Sequence, residues 1–181
     1  TMPEDKLSAL YPSFSLGFVF TEIGALKGNN ILSFGKLRSS WAKTANIADP
    51  YLTFSVFDRT TINDGWTGGI DFPFRGATGY EVGYLLGNST LVHENQTTFE
   101  VGAELKFLKD KVGVDFAYFM NTNNDLILEV PIATSSGYEN LAANAASMES
   151  NGIEISAYAT IFSTKDFKWE INANFTKMTN E

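Results

Sequence analysis

The C-terminal stretch "NGIEISAYATIFSTKDFKWEINANFT" alternates apolar and polar side chains with a period of two. Between Ile153 and Ile161 the odd positions are apolar, whereas the even positions from Glu154 to Phe162 form the opposite, mostly polar set. A second alternation begins at Phe167, after the turn sequence "STKD". A period of two is typical of β-strands because successive side chains point to opposite faces of a sheet. The stretch therefore predicts two strands joined by a tight turn, each with one apolar face.

Four further segments carry the same alternation, so the chain is predicted to be a single all-β domain. The predicted strands, in chain order, are Pro12–Glu22, Ile31–Lys43, Thr97–Phe107, Val112–Asn121, Asn151–Phe162 and Phe167–Lys177. The piece "DLILEVPI" is also predicted to be extended, and Pro131 marks it as a sheet edge or a strand end. The polar segment "ENLAANAASMES" is predicted to be a loop. Together these elements predict an antiparallel up-and-down meander of about six strands.

The connections between the predicted strands alternate between short and long. The sequences "IGALKGNN", "LKDK" and "STKD" are short, whereas Thr44–Gln96 and Thr122–Ser150 are long. Because antiparallel strands reverse at every connection, both long connections should lie at one end of the sheet and the short turns at the other. Large transmembrane β-barrels of bacterial outer membranes show this asymmetry, with strands of about ten residues. The alternation by itself also fits a soluble antiparallel β-sandwich.

Composition excludes several classes of function. The 181 residues include no cysteine, so neither a disulfide framework nor a thiolate metal site is expected. The net charge is −8 and no basic stripe is visible, so no nucleic-acid partner is expected. No apolar run reaches the roughly 18 residues that a membrane-spanning helix needs. The first residues also lack the features of a secretory signal, so the chain is expected to be mature or truncated.

Several blocks of the sequence resemble one family of membrane proteins, in the same order along the chain. The blocks are "YPSFSLGFVFTE" (Tyr11–Glu22), "LSFGKLRSSWAKTAN" (Leu32–Asn46), "ENQTTFEVGAELKFLKDKVGVDFAYF" (Glu94–Phe119), "DLILEVPIATSSGY", "NAASMESNGIEIS" and "TKDFKWEINANFT". Together they are similar to the C-terminal part of the barrel of SusC/RagA-type TonB-dependent transporters of Bacteroidetes.

The resemblance implies a barrel of about 22 strands that is plugged by an N-terminal domain. Residues 1–181 would then be a fragment of the barrel domain, without the plug and the remaining strands, in contact with outer-membrane lipid. The family imports glycans or peptides across the bacterial outer membrane with a SusD-like surface lipoprotein, energised by the TonB complex through the plug. Nutrient uptake is therefore the implied function, without a cofactor. The alternative from another class is a soluble β-sandwich that acts as a binding or adhesion module.

Charged side chains gather on the polar faces of three predicted strands. The residues predicted to face the barrel lumen are Lys36, Arg38, Glu100, Glu104 and Asp115. Neighbouring carboxylates can perform acid–base chemistry, as in a glycan-degrading enzyme. No nucleophile motif, phosphate loop or dinucleotide fingerprint completes a catalytic set, and the basic residues favour a neutralised barrel lining. The chain is therefore predicted not to be an enzyme, and no catalytic residue is assigned.

Metal binding finds little support in the sequence. His93 is the single histidine and has no partner at a metal-ligand spacing, so it is predicted to be an exposed loop residue. The segment "NTNND" (Asn121–Asp125) lacks the ligand spacing of a calcium loop and is predicted to be a turn.

The glycine-rich segment "INDGWTGGIDFPFRGATGYEVGYLLGN", in the first long connection, is the strongest candidate for a binding surface. Its aromatic residues are Trp66, Phe72, Phe74, Tyr80 and Tyr84. Aromatic rings on an exposed loop suit stacking on sugars or packing against a partner. We predict that they lie outside the lipid, at the extracellular mouth, and contact the substrate or the lid lipoprotein. The alternative is a loop that folds inward and packs on itself.

Overall fold

The computed structural model describes Pro3, Lys6 and residues 8–181. Its strands, in chain order, are β1 (Ser13–Val19), β2 (Leu32–Asn46), β3 (Phe57–Arg59), β4 (Thr61–Ile62), β5 (Ile70–Asp71), β6 (Tyr80–Val82), β7 (Leu85–Leu86), β8 (Glu94–Phe107), β9 (Val112–Pro131), β10 (Asn140–Ser163) and β11 (Lys168–Asn180). Short 3₁₀ helices cover Phe20–Glu22, Gly24–Leu26 and Thr134–Ser136. No helix in this part of the chain is long and apolar enough to cross a membrane.

Two compact units make up the chain. What we call the sheet unit comprises Leu10–Thr44, Gln96–Asn123 and Met148–Glu181. What we call the connection unit comprises Thr1–Ala9, Ala45–Asn95 and Asn124–Ser147.

The long strands form one antiparallel meander. Hydrogen-bonded neighbours follow the order β1-β2-β8-β9-β10-β11, so each long strand lies beside the next long strand along the chain. Strand β1 pairs with β2 and strand β10 with β11, both antiparallel. This topology confirms the predicted all-β, up-and-down fold.

One face of the sheet unit is apolar and exposed. Residues directly opposite each other in a strand pair point to the same side of the sheet, and Phe14 lies opposite Trp41 while Ile155 lies opposite Phe175. Phe14 is 66 % exposed and Phe175 is 53 % exposed, although a soluble sandwich would bury both in its core. About 25 cal/mol is lost for every Å² of apolar surface left in water. The arrangement therefore favours lipid as the surroundings of this face.

A bulge near the end of β10 moves one aromatic residue to the apolar face. The register of the β10–β11 pair shifts between Thr160 and Phe162, so that Phe162 lies opposite Trp169. Strict alternation had placed Phe162 with the polar set, and that assignment is wrong. An extra residue in one strand reverses the faces of all residues beyond it. The ring of Phe162 consequently lies 6.1 Å from the ring of Phe167, measured between centroids.

The second long connection is shorter than predicted because both flanking strands continue into it. Strand β9 runs to Pro131, as the extended piece "DLILEVPI" had indicated, and β10 starts at Asn140. The predicted loop "ENLAANAASMES" is therefore strand. Its alanines and asparagines give no apolar face to recognise, and its extended shape follows from hydrogen bonding to neighbouring strands, including the parallel pairing of Asn140 with Leu85 of β7.

The connection unit has a small core of its own. Leu91 is 0 % exposed, and Ala48 and Ala142 are buried with it. Leu52, Leu85 and Ile127 pack around these three residues. Outside this core, β3 pairs with β6 and β4 pairs with β5, so the first long connection is folded into short antiparallel ladders.

The long connections and the tight turns belong largely to different units. Most of each long connection belongs to the connection unit. The tight turns lie side by side in the sheet unit, where the backbone N–H of Leu108 donates to the carbonyl of Ile31 at 2.8 Å. The N–H of Thr160 likewise donates to the carbonyl of Lys111 at 2.7 Å. That the long connections and the tight turns lie at opposite ends of the sheet stays a prediction.

Candidate functional site

An ion-pair cluster occupies the polar face of the sheet unit. The guanidinium of Arg38 donates two hydrogen bonds to Asp115, at 2.7 and 2.8 Å, and a third to Glu100 at 3.3 Å. On the same face Lys106 pairs with Glu104 at 3.1 Å and lies over the ring of Phe34. A fork-like arginine contact fixes both distance and orientation, so the cluster ties β2, β8 and β9 together by side chains as well as by backbone.

Glycines provide the space for the large polar side chains. A Cβ at Gly102 would lie 2.7 Å from the guanidinium carbon of Arg38, and a Cβ at Gly113 would overlap the ring of Tyr158. Any larger residue at either position would therefore displace the side chain above it. The glycines therefore let Arg38 and Tyr158 lie flat across the neighbouring strand.

The structure brings the five predicted charged residues onto one surface. Lys36, Arg38 and Glu100 line one shallow cavity with Ser15 and Ser40. Another cavity is lined mainly by the polar residues Glu104, Lys106, Asp115, Ser156, Tyr158 and Asn172. That this surface faces a barrel lumen stays a prediction.

The arrangement of the carboxylates does not favour acid–base chemistry. Glu100 and Asp115 are both held by Arg38, and Glu104 is held by Lys106, so each predicted acid has a cationic partner. Across the described residues, no group of three or more histidine, aspartate or glutamate side chains is placed to hold a metal ion.

His93 is less accessible than the sequence indicated. Its ring nitrogens are both shielded from solvent and have no hydrogen-bond partner among the described residues. The prediction of an exposed loop histidine is therefore wrong. His93 follows the buried Leu91 closely in sequence, and its carbonyl accepts a hydrogen bond from the side-chain amide of Asn95 at 3.0 Å.

Trp66 projects from the connection unit on an ordered turn. The carboxylate of Asp64 accepts hydrogen bonds from the N–H groups of Trp66 and Thr67, at 2.9 and 2.8 Å, and from the Thr67 hydroxyl. These bonds, first that of Thr67, lower the pKa of Asp64. The turn closes the β4–β5 hairpin, and Trp66 is 95 % exposed. The backbone is thus fixed while the indole is presented to the surroundings.

The other four predicted aromatic residues divide between packing and exposure. Phe72 covers Gly79, where a Cβ would lie 2.5 Å from its ring. Phe74, Tyr80 and Tyr84 are exposed. The Tyr84 hydroxyl donates to Glu129 at 3.2 Å, a bond that raises the pKa of Tyr84. The loop therefore combines inward packing at Phe72 with an outward surface, and neither predicted alternative describes all of it.

Two open clefts flank Tyr84, and sequence analysis identified only Tyr84 among their residues. The first, which we call the apolar cleft, has a volume of about 260 Å³. It is lined chiefly by Tyr51, Leu52, Phe54, Val56, Asp58 and Tyr84. The second, which we call the acidic cleft, has a volume of about 280 Å³. It is lined chiefly by Asp58, Glu81, Gly83, Tyr84, Tyr138 and Glu139.

The uneven distribution of charge along the sequence is the feature that indicates these clefts. The ranges of the connection unit contain 11 of the 21 acidic residues but only 3 of the 13 basic ones. The aromatic residues cluster in the segment around Trp66. The surplus of acids, in contrast, extends over both long connections.

The fold and the amphipathic sheet define a class of membrane protein. The family model described as TonB dependent receptor-like, beta-barrel, matches residues 3–181. The chain belongs to this family, which places it in the bacterial outer membrane.

Individual relatives show the same relationship. The chain is 32 % identical to the TonB-dependent receptor SusC of Bacteroides thetaiotaomicron, over 98 % of this chain and 17 % of SusC. It is 28 % identical to the TonB-dependent receptor P39 of Formosa agariphila, over 98 % of this chain and 16 % of P39. The chain therefore spans less than a fifth of the length of these relatives.

A solved structure confirms the fold. The RagAB peptide importer in its closed-closed state superposes with a TM-score of 0.81 and 23 % identity, over 99 % of this chain and 19 % of the matched one. At this level of identity the likeness shows the fold alone.

Proposed function

We propose that the chain forms part of the barrel wall and of the extracellular connections of a transporter that takes up glycans or peptides across the outer membrane. The observation that supports this role is the division of one sheet into an exposed apolar face and an ion-paired polar face. In a membrane barrel, the first face contacts lipid and the second lines a hydrated interior or meets a plug.

The proposal includes partners beyond this chain. A plug and further barrel strands would complete the domain, because open sheet edges are not tolerated in lipid. The plug would transmit energy from the TonB complex, and a SusD-like lipoprotein would cover the extracellular mouth. The exposed Trp66 and Tyr80 are proposed to contact this lipoprotein or the substrate.

We also propose that the chain has no catalytic role. Each acid of the predicted polar set forms an ion pair with a neighbouring cation, which leaves no free carboxylate pair for general acid and general base. A soluble β-sandwich module is disfavoured because the apolar face of the sheet has no covering layer among the described residues.

Energised uptake tests the proposal. Cells that carry the full-length protein should accumulate a labelled cognate nutrient, and a protonophore should abolish accumulation while binding at the cell surface remains. Deleting the gene should remove both. Accumulation that survives the protonophore unchanged would contradict TonB-dependent transport.

Substitutions in the aromatic loop test its role separately. Truncation of a buried aromatic anchor at an interface typically costs over about 2 kcal/mol. Trp66→Ala and Tyr80→Ala should therefore weaken pull-down of the lipoprotein or uptake, while barrel assembly stays normal. Phe57→Ala is the matched control because Phe57 is an exposed aromatic residue of the same unit outside the predicted set. If both variants match the wild type in both assays, the loop has only a packing role.

A further inference from the structure

The whole net charge of the protein lies in the connection unit. By sequence, this unit has 11 acidic and 3 basic residues, a net charge of −8, whereas the sheet unit has 10 of each. A surface of one sign raises the local concentration of ligands of the opposite sign and increases their association rate. The connection unit is therefore suited to cationic ligands.

The two clefts beside Tyr84 share part of their lining, although one is mainly apolar and the other acidic. Asp58, Gly83 and Tyr84 line both clefts, with the rings of Tyr51 and Phe54 on the apolar side. These two rings meet edge to face, with centroids 5.8 Å apart. A Cβ at Gly83 would lie 2.9 Å from the Asp58 carboxylate, so a larger residue there would displace this carboxylate.

The carboxylates of the acidic cleft lack a cation. Asp58 and Glu81 lie directly opposite each other in the β3–β6 ladder, an arrangement of like charges that destabilises a strand pair. Within the described residues no ion pair involves Asp58, Glu81 or Glu139, and no lysine or arginine lines either cleft. A bound cation would relieve this repulsion. An organic cation fits better than a metal ion, because the described acids are not placed as a metal-ligand group.

We propose that these clefts bind the basic side chain of an oligopeptide. The methylene stem lies against the rings of the apolar cleft, and the ammonium or guanidinium group lies between the carboxylates of the acidic cleft. Lysine and arginine combine these two surfaces in one side chain, and their cations also interact favourably with aromatic rings. This assignment rests on the proposed uptake function and specifies its substrate class.

The lining of the apolar cleft favours a basic side chain over an amino sugar. An amino sugar carries hydroxyl groups around its ring, and these would lose hydrogen bonds against the apolar wall formed by Leu52, Phe54 and Val56.

Equilibrium binding to the full-length protein in detergent tests this inference. The probe is a pentapeptide with blocked termini and one central lysine, compared with the same peptide carrying norleucine. The lysine peptide should bind about tenfold more tightly, because its cation is attracted to carboxylates that have no ion-pair partner. The double substitution Asp58→Asn/Glu81→Gln should remove this preference. The matched control is Asp71→Asn, an exposed acid of the same unit outside both clefts, which should keep it.

Two results would overturn the inference. One is equal binding of the lysine and norleucine peptides by the wild type, and the other is a glucosamine trimer that binds as tightly as the lysine peptide. Energised uptake, measured in cells, separates this inference from the transport proposal. If uptake persists without the lysine preference, only the substrate class is wrong. If the preference persists without energised uptake, only transport is wrong.

Discussion

The sheet unit and the connection unit differ in how their charges are paired and in whether their apolar side chains are buried. In the sheet unit, acids and bases are equal in number, the charges pair across strands, and large apolar side chains are exposed along one face. In the connection unit, a small core around Leu91 is fully buried, while the net charge of −8 remains without compensation.

This difference follows from the surroundings that each unit is proposed to have. A strand in lipid gains nothing from burying its apolar face against protein, but an unpaired charge near the low-dielectric phase is costly. A unit in water gains from every buried apolar side chain and tolerates net charge because solvent and salt screen it. The contrast predicts that the two units respond differently to the same kind of substitution.

The largest expected effect on stability follows from truncating Leu91 in the core of the connection unit. Leu91→Ala should cost about 2–5 kcal/mol, the usual range for a fully buried leucine. Hydrogen exchange should increase in the connection unit and remain unchanged in the sheet unit. Ile62→Ala is the control, since Ile62 is exposed in the same unit. Uniform destabilisation of both units would show that they do not differ in the way described.

A charge on the apolar face of the sheet should have the next largest effect. Ala103→Arg or Ala157→Arg should cost about 2–4 kcal/mol near the bilayer midplane. Glu104→Gln and Asn172→Ser, on the polar face, should cost much less. The measurement is reversible unfolding of the full-length protein in lipid vesicles. Equal tolerance of substitutions on both faces would contradict contact with lipid.

Removing the cation of the polar cluster should have an intermediate effect. Arg38→Met leaves Glu100 and Asp115 without their shared partner, and the half-exposed positions limit the cost to about 1–2 kcal/mol. Lys27→Met is the matched control, because the pair between Lys27 and Glu22 is largely exposed and should contribute less than about 1 kcal/mol. Identical unfolding midpoints for the two variants would show that the cluster adds no stability.

The smallest expected effect is a change with pH at the turn that presents Trp66. The pKa of Asp64 is depressed in the folded protein because its carboxylate accepts the hydrogen bonds of the turn. The stability that Asp64 gives to the turn is therefore fully present above the ordinary aspartate pKa of about 3.9, and it is lost as the pH falls through the lower pKa of the folded state. In a variant of the full-length protein in which every other tryptophan is replaced by phenylalanine, the fluorescence anisotropy of Trp66 should therefore decrease in acid. Asp64→Ala should give low anisotropy at every pH. A pH dependence that survives this substitution would exclude Asp64 as its origin.

Prediction from sequence worked best where one face of a strand is apolar. The hairpin formed by the second half of β10 and by β11 was predicted nearly in full, because alternating isoleucine, alanine and aromatic residues distinguish the two faces. The start of β10, Asn140–Ser150, has no such contrast and was predicted to be a loop. Its extended conformation depends on hydrogen bonds to neighbouring strands, which no local pattern reveals.

The candidate site was predictable in part. Period-two alternation placed Lys36, Arg38, Glu100, Glu104 and Asp115 on polar faces, and the structure brings them onto one surface. The clefts beside Tyr84 were not predicted, because residues such as Asp58, Glu81 and Tyr138 lie far apart in sequence and meet only through the short ladders and turns of the connection unit.

Alternation with a period of two is a local property of the backbone, so the sequence by itself determined the class of fold and the two faces of its long strands. Tertiary structure alone decided which strand continues past its apolar segment, where a bulge moves Phe162 to the other face, and which acids share a cleft. These features depend on hydrogen bonds and contacts between residues that are distant in sequence. Such contacts form only after the chain has closed its long connections, and they must offset the entropy that loop closure costs.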